Sequence, residues 1–150
     1  MAKRSSVERP FCSGTMTQSE KTTFIQSALR NKSRFWKPAQ EALKESRVWR
    51  NQYKCAICGT VWPSKLPPLE EYKKNKDGKM VKCKKRTNNV IDHIYEVVDE
   101  NVGWVSWDIY IERLFVEKEG FQILCWSCNK KKTTENNAIR ADTRKKKIIN

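Results

Sequence analysis

Apolar residues recur three to four positions apart at Phe24, Ile25, Ala28, Leu29 and Trp36, a spacing that predicts an amphipathic helix over about 18–36. Thr17-Gln18-Ser19-Glu20 has the form of a capping box at its start. Pro38 suits the first turn of a second helix, with Ala42 and Leu43 inward and an end near Trp49. Residues 1–16 lack apolar periodicity and are expected to form a flexible arm, followed by a basic helical region over 17–50. Tyr53 to Trp62 (YKCAICGTVW) reads as two short strands folded over a tight turn at Gly59. Pro63, Pro67 and Pro68 end that regularity, so 64–87 is expected to be an inserted loop with Asp77-Gly78 at a hairpin tip. Val90 to Val98 has strand-forming residues. Trp107 to Phe115 predicts a helix capped by Ser106, with Trp107, Ile111, Leu114 and Phe115 inward. Phe121 to Leu124 is a short buried strand, and a last helix runs from near Ser127 to Arg140. These elements make an α+β chain, closed by a basic tail over 136–150.

Charge sharpens this picture. The formal net charge is +14, and it is unevenly placed. Residues 1–54 carry 12 Lys/Arg against 4 Asp/Glu, and residues 130–150 carry 8 against 2. From Lys73 to Arg86 there are eight positive residues against Asp77 alone, whereas 87–129 holds eight acids against Arg113 and Lys118. Basic flanks around an acidic centre suit a protein that grips a polyanion and binds a cation in its middle. Arg30, Lys32 and Arg34 on the first helix, and Lys130, Lys131 and Lys132 on the last, are the candidate nucleic-acid contacts; the bland alternative is a solvated surface or a packing platform. No run of about 18 apolar residues exists to span a membrane, and no apolar segment follows the basic N-terminus, so a cytoplasmic, reducing setting is expected.

Two Cys-x-x-Cys pairs, Cys55/Cys58 and Cys125/Cys128, supply the four soft thiolates of a structural zinc shell. The alternatives are a disulfide or buried unligated thiols. Because 66 residues separate Cys58 from Cys125, an intervening fold must join the pairs. Cys12 and Cys83 have no partner at ligand spacing and read as free thiols. His93 is the one histidine and directly follows Asp92. Neighbours in a strand point to opposite faces, so the two share a site only where the strand ends or bends. Asp92 and Asn129 are oxygen donors suited to a hard cation such as magnesium or manganese. A neutral imidazole takes a proton from water near neutral pH. A water-activating base beside a divalent ion on a basic protein is equipment for phosphodiester hydrolysis.

From Tyr53 to Thr133 the chain resembles the HNH endonucleases, especially the small free-standing phage type. The two cysteine pairs, Asp92-His93-Ile94, the WDIYIERLF segment from Trp107 to Phe115 and the closing LCWSCNKKKT from Leu124 to Thr133 carry the resemblance. It implies a ββα-metal (His-Me finger) core over 51–135 with a structural zinc knuckle, preceded by the helical pair. His93 would be the general base, Asp92 and Asn129 the holders of a catalytic divalent ion, and Lys132 a phosphate contact. Double-stranded DNA would be cut to 5′-phosphate and 3′-hydroxyl ends, by a monomer that nicks or by a homodimer that breaks both strands. Three positions depart from the family pattern. Asn129 stands where histidine is common, Glu96 where proline is common, and Gly120 where an asparagine braces the loop of the base. Asn101, Asn88 or Asn89 would then supply that brace, and insertion 64–87 would add to the DNA grip. A competing expectation is a zinc-stabilised DNA-binding module that kept the fold and lost the chemistry. An RNA-binding zinc ribbon shares the charge but gives no reason for Asp92-His93.

Overall fold

A computed structural model describes residues 8–149, which divide into two units, Met1–Trp36 and Lys37–Asn150. In the first unit Phe11 and Met16 exchange main-chain hydrogen bonds at 3.2 and 3.1 Å. The turn between them runs through Cys12, Ser13 and Gly14, all with positive φ. Part of the expected arm is therefore a closed turn, and residues 1–7 lie outside the described residues. Helix α1 (Gln18–Ser33) starts at the capping box read from the sequence: Thr17 accepts from the Glu20 amide, and the Glu20 carboxylate accepts from the Thr17 amide at 2.7 Å. Of its two adjacent apolar rows, Ile25 and Leu29 are half-buried while Phe24 and Ala28 are exposed, and no residue of α1 is buried.

The second unit opens with α2 (Lys37–Glu45), which stops short of Trp49. Ser46 ends it by donating its amide to Ala42 and its hydroxyl to Leu43. Asn51 then takes a positive φ, and the β-favouring Val48 and Trp49 enter strand β1 (Arg47–Trp49) against β2 (Gln52–Lys54). Strand β2 also pairs antiparallel with β3 (Val61–Pro63) across the turn that carries Cys55 and Cys58. The insertion is not a plain loop. Strands β4 (Lys65–Leu66) and β7 (Arg86–Thr87) pair at its root, and β5 (Tyr72–Lys74) and β6 (Met80–Lys82) form a hairpin around Asp77-Gly78.

Strand β8 (Val90–His93) pairs antiparallel with β9 (Phe121–Leu124), and α4 (Trp126–Ile149) leaves from the end of β9. Helix α3 (Trp107–Leu114) lies between the two strands in sequence, with Ser106 accepting from the Ile109 amide as expected. Its inward face is turned from the expected one: Tyr110 and Leu114 are buried and Ile111 is exposed, because Trp104 and Trp107 stack around Tyr110 at 5.4 and 5.9 Å. The apolar core is Ala39, Tyr110, Leu114, Phe121, Ile123 and Leu124 with Cys55 and Cys125. Helix α4 continues well past Arg140 through the expected tail, where Arg, Ala and Lys favour helix and no Gly or Pro stops it. Among the described residues no helix is long and apolar enough to cross a membrane.

Asn88 is the one buried polar residue of the described chain. Its side chain donates to the Pro63 carbonyl at 3.1 Å and accepts from the Trp126 amide at 2.9 Å. It thereby ties the end of β3 to the first turn of α4, satisfying an amide that the helix leaves unpaired. Gly120 precedes β9 in a single 3-10 turn, and a Cβ there would lie 2.5 Å from Val116 Cγ2. Gly120→Ala should cost about 1–3 kcal/mol in denaturant unfolding, the usual penalty for overpacking. Adding Val116→Ala should return most of it.

Candidate metal centre and active site

The turn between β2 and β3 is built to aim two sulfurs the same way. Gly59, at φ 68°, donates its amide to the Cys55 carbonyl, and the Cys55 amide reaches back to Thr60. The Ala56 amide donates to the Ile123 carbonyl at 2.9 Å, which fastens this turn to β9 just ahead of Cys125. Cys128 sits one turn into α4, its amide directed at Cys125 Sγ. All four sulfurs lie within 4.8 Å of one another, with Cys58 and Cys125 at 4.0 Å. A zinc–sulfur bond of about 2.3 Å places tetrahedral sulfurs about 3.8 Å apart, so a small contraction would close the shell. Amide and hydroxyl hydrogen bonds from Thr60 hold the Cys58 thiol down to about 6. Burial pushes Cys125 up and Cys128 up to about 12. Burial thus keeps these two thiols protonated, and a metal ion bound there would displace their protons. This cluster is compatible with one zinc ion, and the four residues are those read from the sequence.

On the other side of β9, strand β8 ends at His93, and the chain turns away at Ile94. The strand thus ends at the point where Asp92 and His93 would have to share a site. His93 Nε2 lies 3.0 Å from the Leu114 carbonyl. A carbonyl only accepts, so Nε2 donates this bond, and in the neutral ring Nδ1 is the nitrogen with the lone pair. The ring packs on Phe121 at 4.7 Å. Leu114 is the last residue of α3, where main-chain carbonyls lack helical partners, and this one is buried. The group that orients His93 is therefore a backbone carbonyl on a leucine, invisible to a reading of side-chain types. Two of the three candidate asparagine braces lie elsewhere. Asn88 caps α4, and Asn101 is in a turn where its amide donates to Asp99. Gly120 still serves the loop through its backbone, since its carbonyl accepts from the Ile94 amide at 2.9 Å.

Asp92 accepts from Gln122 at 2.8 Å and from Lys132 at 2.6 Å, both on Oδ2. Lys132 also reaches the His93 carbonyl at 2.6 Å and Glu96 at 3.2 Å. Its ammonium, read from the sequence as a phosphate contact, is turned inward to two carboxylates. Glu96 in turn accepts from Asn136 and pairs with Arg140 at 3.3 Å, pinning the loop after His93 to α4. Lys132, Asn136 and Arg140 fall four apart on α4 and form one polar stripe that meets this loop, and Asn129 stands three residues before Lys132 in helical spacing with it. Asn129 is half-buried and its main chain is helical at both ends, with its amide on Cys125 and its carbonyl accepting from Thr133. Lys130 and Lys131 are exposed on other faces, Lys130 over the Trp126 ring at 5.0 Å. Arg30, Lys32 and Arg34 are exposed at the end of α1 in the first unit. A cavity of ≈ 450 Å³ is lined by His93, Glu96, Asp99, Glu100, Arg113 and Lys132.

No protein-family model, curated protein or solved structure matches the chain.

Burial pulls the Lys132 ammonium down, but its bonds to Asp92 and Glu96 outweigh this and raise it above 10.5. Its contribution to stability is therefore complete below that pH and lost as pH rises through the raised value. Lys132→Met should cost about 1–3 kcal/mol at neutral pH in denaturant unfolding, because Asp92 and Glu96 are left facing each other. In that background Glu96→Gln should recover part of the loss, a coupling that a double-mutant cycle measures.

Proposed function

We propose that this chain is a metal-dependent DNA endonuclease with a ββα-metal core in which β8, β9 and α4 surround one catalytic divalent ion. The observation that carries the reading is the His93–Leu114 hydrogen bond: it presents an imidazole with its lone pair on Nδ1 one residue beyond Asp92. In this reading His93 takes a proton from the attacking water at Nδ1, and Leu114 holds the ring while it does so. Asp92 and Asn129 would hold magnesium or manganese, whose chemistry there would be to neutralise charge on the phosphate and the leaving oxygen. Both protein bonds to Asp92 fall on Oδ2, so Oδ1 is the oxygen available to an ion. The carboxylate and amide oxygens of Asp92 and Asn129 are the donor type such ions prefer. Cys55, Cys58, Cys125 and Cys128 would hold zinc with every position filled, a structural role. Double-stranded DNA is the partner class that the basic flanks suit, met in a cytoplasmic setting.

A specific observation favours a second reading. Lys132 already supplies a cation to Asp92, as a binding module that had dispensed with the catalytic ion would require. The discriminating measurement is nicking of supercoiled plasmid by the purified chain with magnesium or manganese. Metal-dependent nicking that falls about 10²–10⁴-fold in His93→Ala supports the enzyme, as expected for loss of a general base. Tight DNA binding without cutting would establish the module instead. For the other ion, elemental analysis should find one zinc per chain. Chelation or Cys125→Ser should unfold the second unit, seen as loss of the cooperative thermal transition.

A further inference from the structure

The β5–β6 hairpin has no role in either metal centre, yet it is carefully closed. At its tip Asn75 Oδ1 accepts from the amides of Asp77 and Lys79 at 3.0 and 2.8 Å, and Gly78 takes φ 76°. At its base the Cys83 amide donates to the Glu71 carbonyl at 2.8 Å. Between these closures Tyr72 lies opposite Lys82, and Lys74 opposite Met80. Side chains alternate along each strand and directly opposed residues share a face, so these four form one surface, and all four are exposed. Val81, on the other face, is half-buried. From Glu71 to Cys83 five exposed lysines face two acids, Glu71 and Asp77.

A two-stranded ribbon is marginal in water on its own, and crowded like charges weaken it further. An anionic partner offsets that repulsion. Ribbon strands lie about 4.8 Å apart, and the major groove of B-form DNA, about 12 Å wide, admits a two-stranded ribbon. The groove of duplex RNA that corresponds to it is deep and narrow, and closed to such an element.

We propose that the β5–β6 ribbon enters the major groove of duplex DNA with its Tyr72–Lys74–Met80–Lys82 face inward, the lysines reaching phosphates on the groove walls and Tyr72 and Met80 facing base edges. This rests on the duplex-DNA reading above and adds where the DNA is held and by which groove. The full chain is titrated by fluorescence anisotropy against a 20-base-pair duplex over a salt series, in metal-free buffer apart from zinc. Lys74→Gln/Lys82→Gln is compared with Lys37→Gln/Lys44→Gln, an equal loss of exposed charge on α2. Each phosphate contact contributes about 0.9 to the salt slope, so the ribbon variant should lose roughly 30-fold in affinity at 0.15 M salt and about 2 in slope. The α2 variant should lose much less, and Tyr72→Ala should weaken binding with the slope unchanged. On duplex RNA of the same length the ribbon substitutions should make no more difference than those on α2. Equal losses for the two charge variants, or equal losses on DNA and RNA, would overturn groove entry and leave plain electrostatic attraction. Wild-type binding that the ribbon variant keeps would overturn the ribbon alone and leave the nuclease reading standing. If the wild-type chain, with zinc content and helicity intact, binds no duplex at all, both fall together.

Discussion

Four sulfurs from two turns far apart in sequence must meet within 4.8 Å, and the second unit is arranged around that meeting. The turn after β2 has to lie on β9, which it does through the Ala56–Ile123 hydrogen bond and the packing of Trp62 against Cys55, Leu124 and Cys125. Once β9 and the start of α4 are fixed there, the pairing of β8 with β9 sets where His93 stands. Few large side chains are fully buried, and two of the eight residues of the apolar core are cysteines of this cluster. A core so thin leaves much of the cohesion to the sulfur cluster and to Asn88, which bridges β3 and α4 beside it.

Helix α4 has a consistent division of labour around its circumference. Its first turn contributes Cys128, its polar stripe contributes Lys132, Asn136 and Arg140, and its remaining faces carry exposed cations. The stripe explains why so hydrophilic a helix is held at all. It is bound by ion pairs and hydrogen bonds to Asp92 and Glu96 in place of an apolar seam. Because these groups are largely sheltered from solvent, the bonds are worth more than ordinary surface pairs, and each depends on its partners remaining in place.

Side-chain chemistry in the sequence located the cysteine cluster, the capping box and the β9 strand, whereas β8 ends at His93 and not at Val98 as its strand-forming residues suggest. What it missed was carried by the backbone or by pairing between short segments. The ending of α2 at Ser46 turns on local hydrogen bonds that compete with helix, and β1 exists only because β2 lies beside it. The burial of Tyr110 in place of Ile111 is a rotation that periodicity cannot resolve within an eight-residue helix. The orientation of His93 by Leu114 depends on where α3 ends in space. An asparagine was sought at Gly120 because side chains are what a sequence displays. The position instead needs the absence of one, since Val116 fills the space, and its carbonyl does part of the bracing. Glu96, standing where the family commonly has proline, anchors its loop to α4.

The distribution of charge now has a physical logic. Around His93 the cavity presents Glu96, Asp99 and Glu100, and the amides of Val102 and Asn101, with Arg113 nearby, hold Asp99 below the usual carboxylate range. A phosphate backbone would be repelled from so acidic a place unless cations stood there first. Lys132 supplies one, and it does so on Oδ2 of Asp92, the same oxygen that Gln122 holds. The other oxygen faces no such competitor among these bonds, so lysine and ion need not exclude each other. With both in place the acidic centre would be locally reversed in sign, and the ribbon and exposed lysines outside it would, as proposed, draw in the polyanion. Glu96 is held by Lys132, Asn136 and Arg140, and Asp99 by the amides of its own turn, so these carboxylates have structural work whether or not an ion is present. A catalytic ion, as proposed, would therefore be a matter for Asp92 Oδ1 and Asn129 and not for the carboxylates about the cavity.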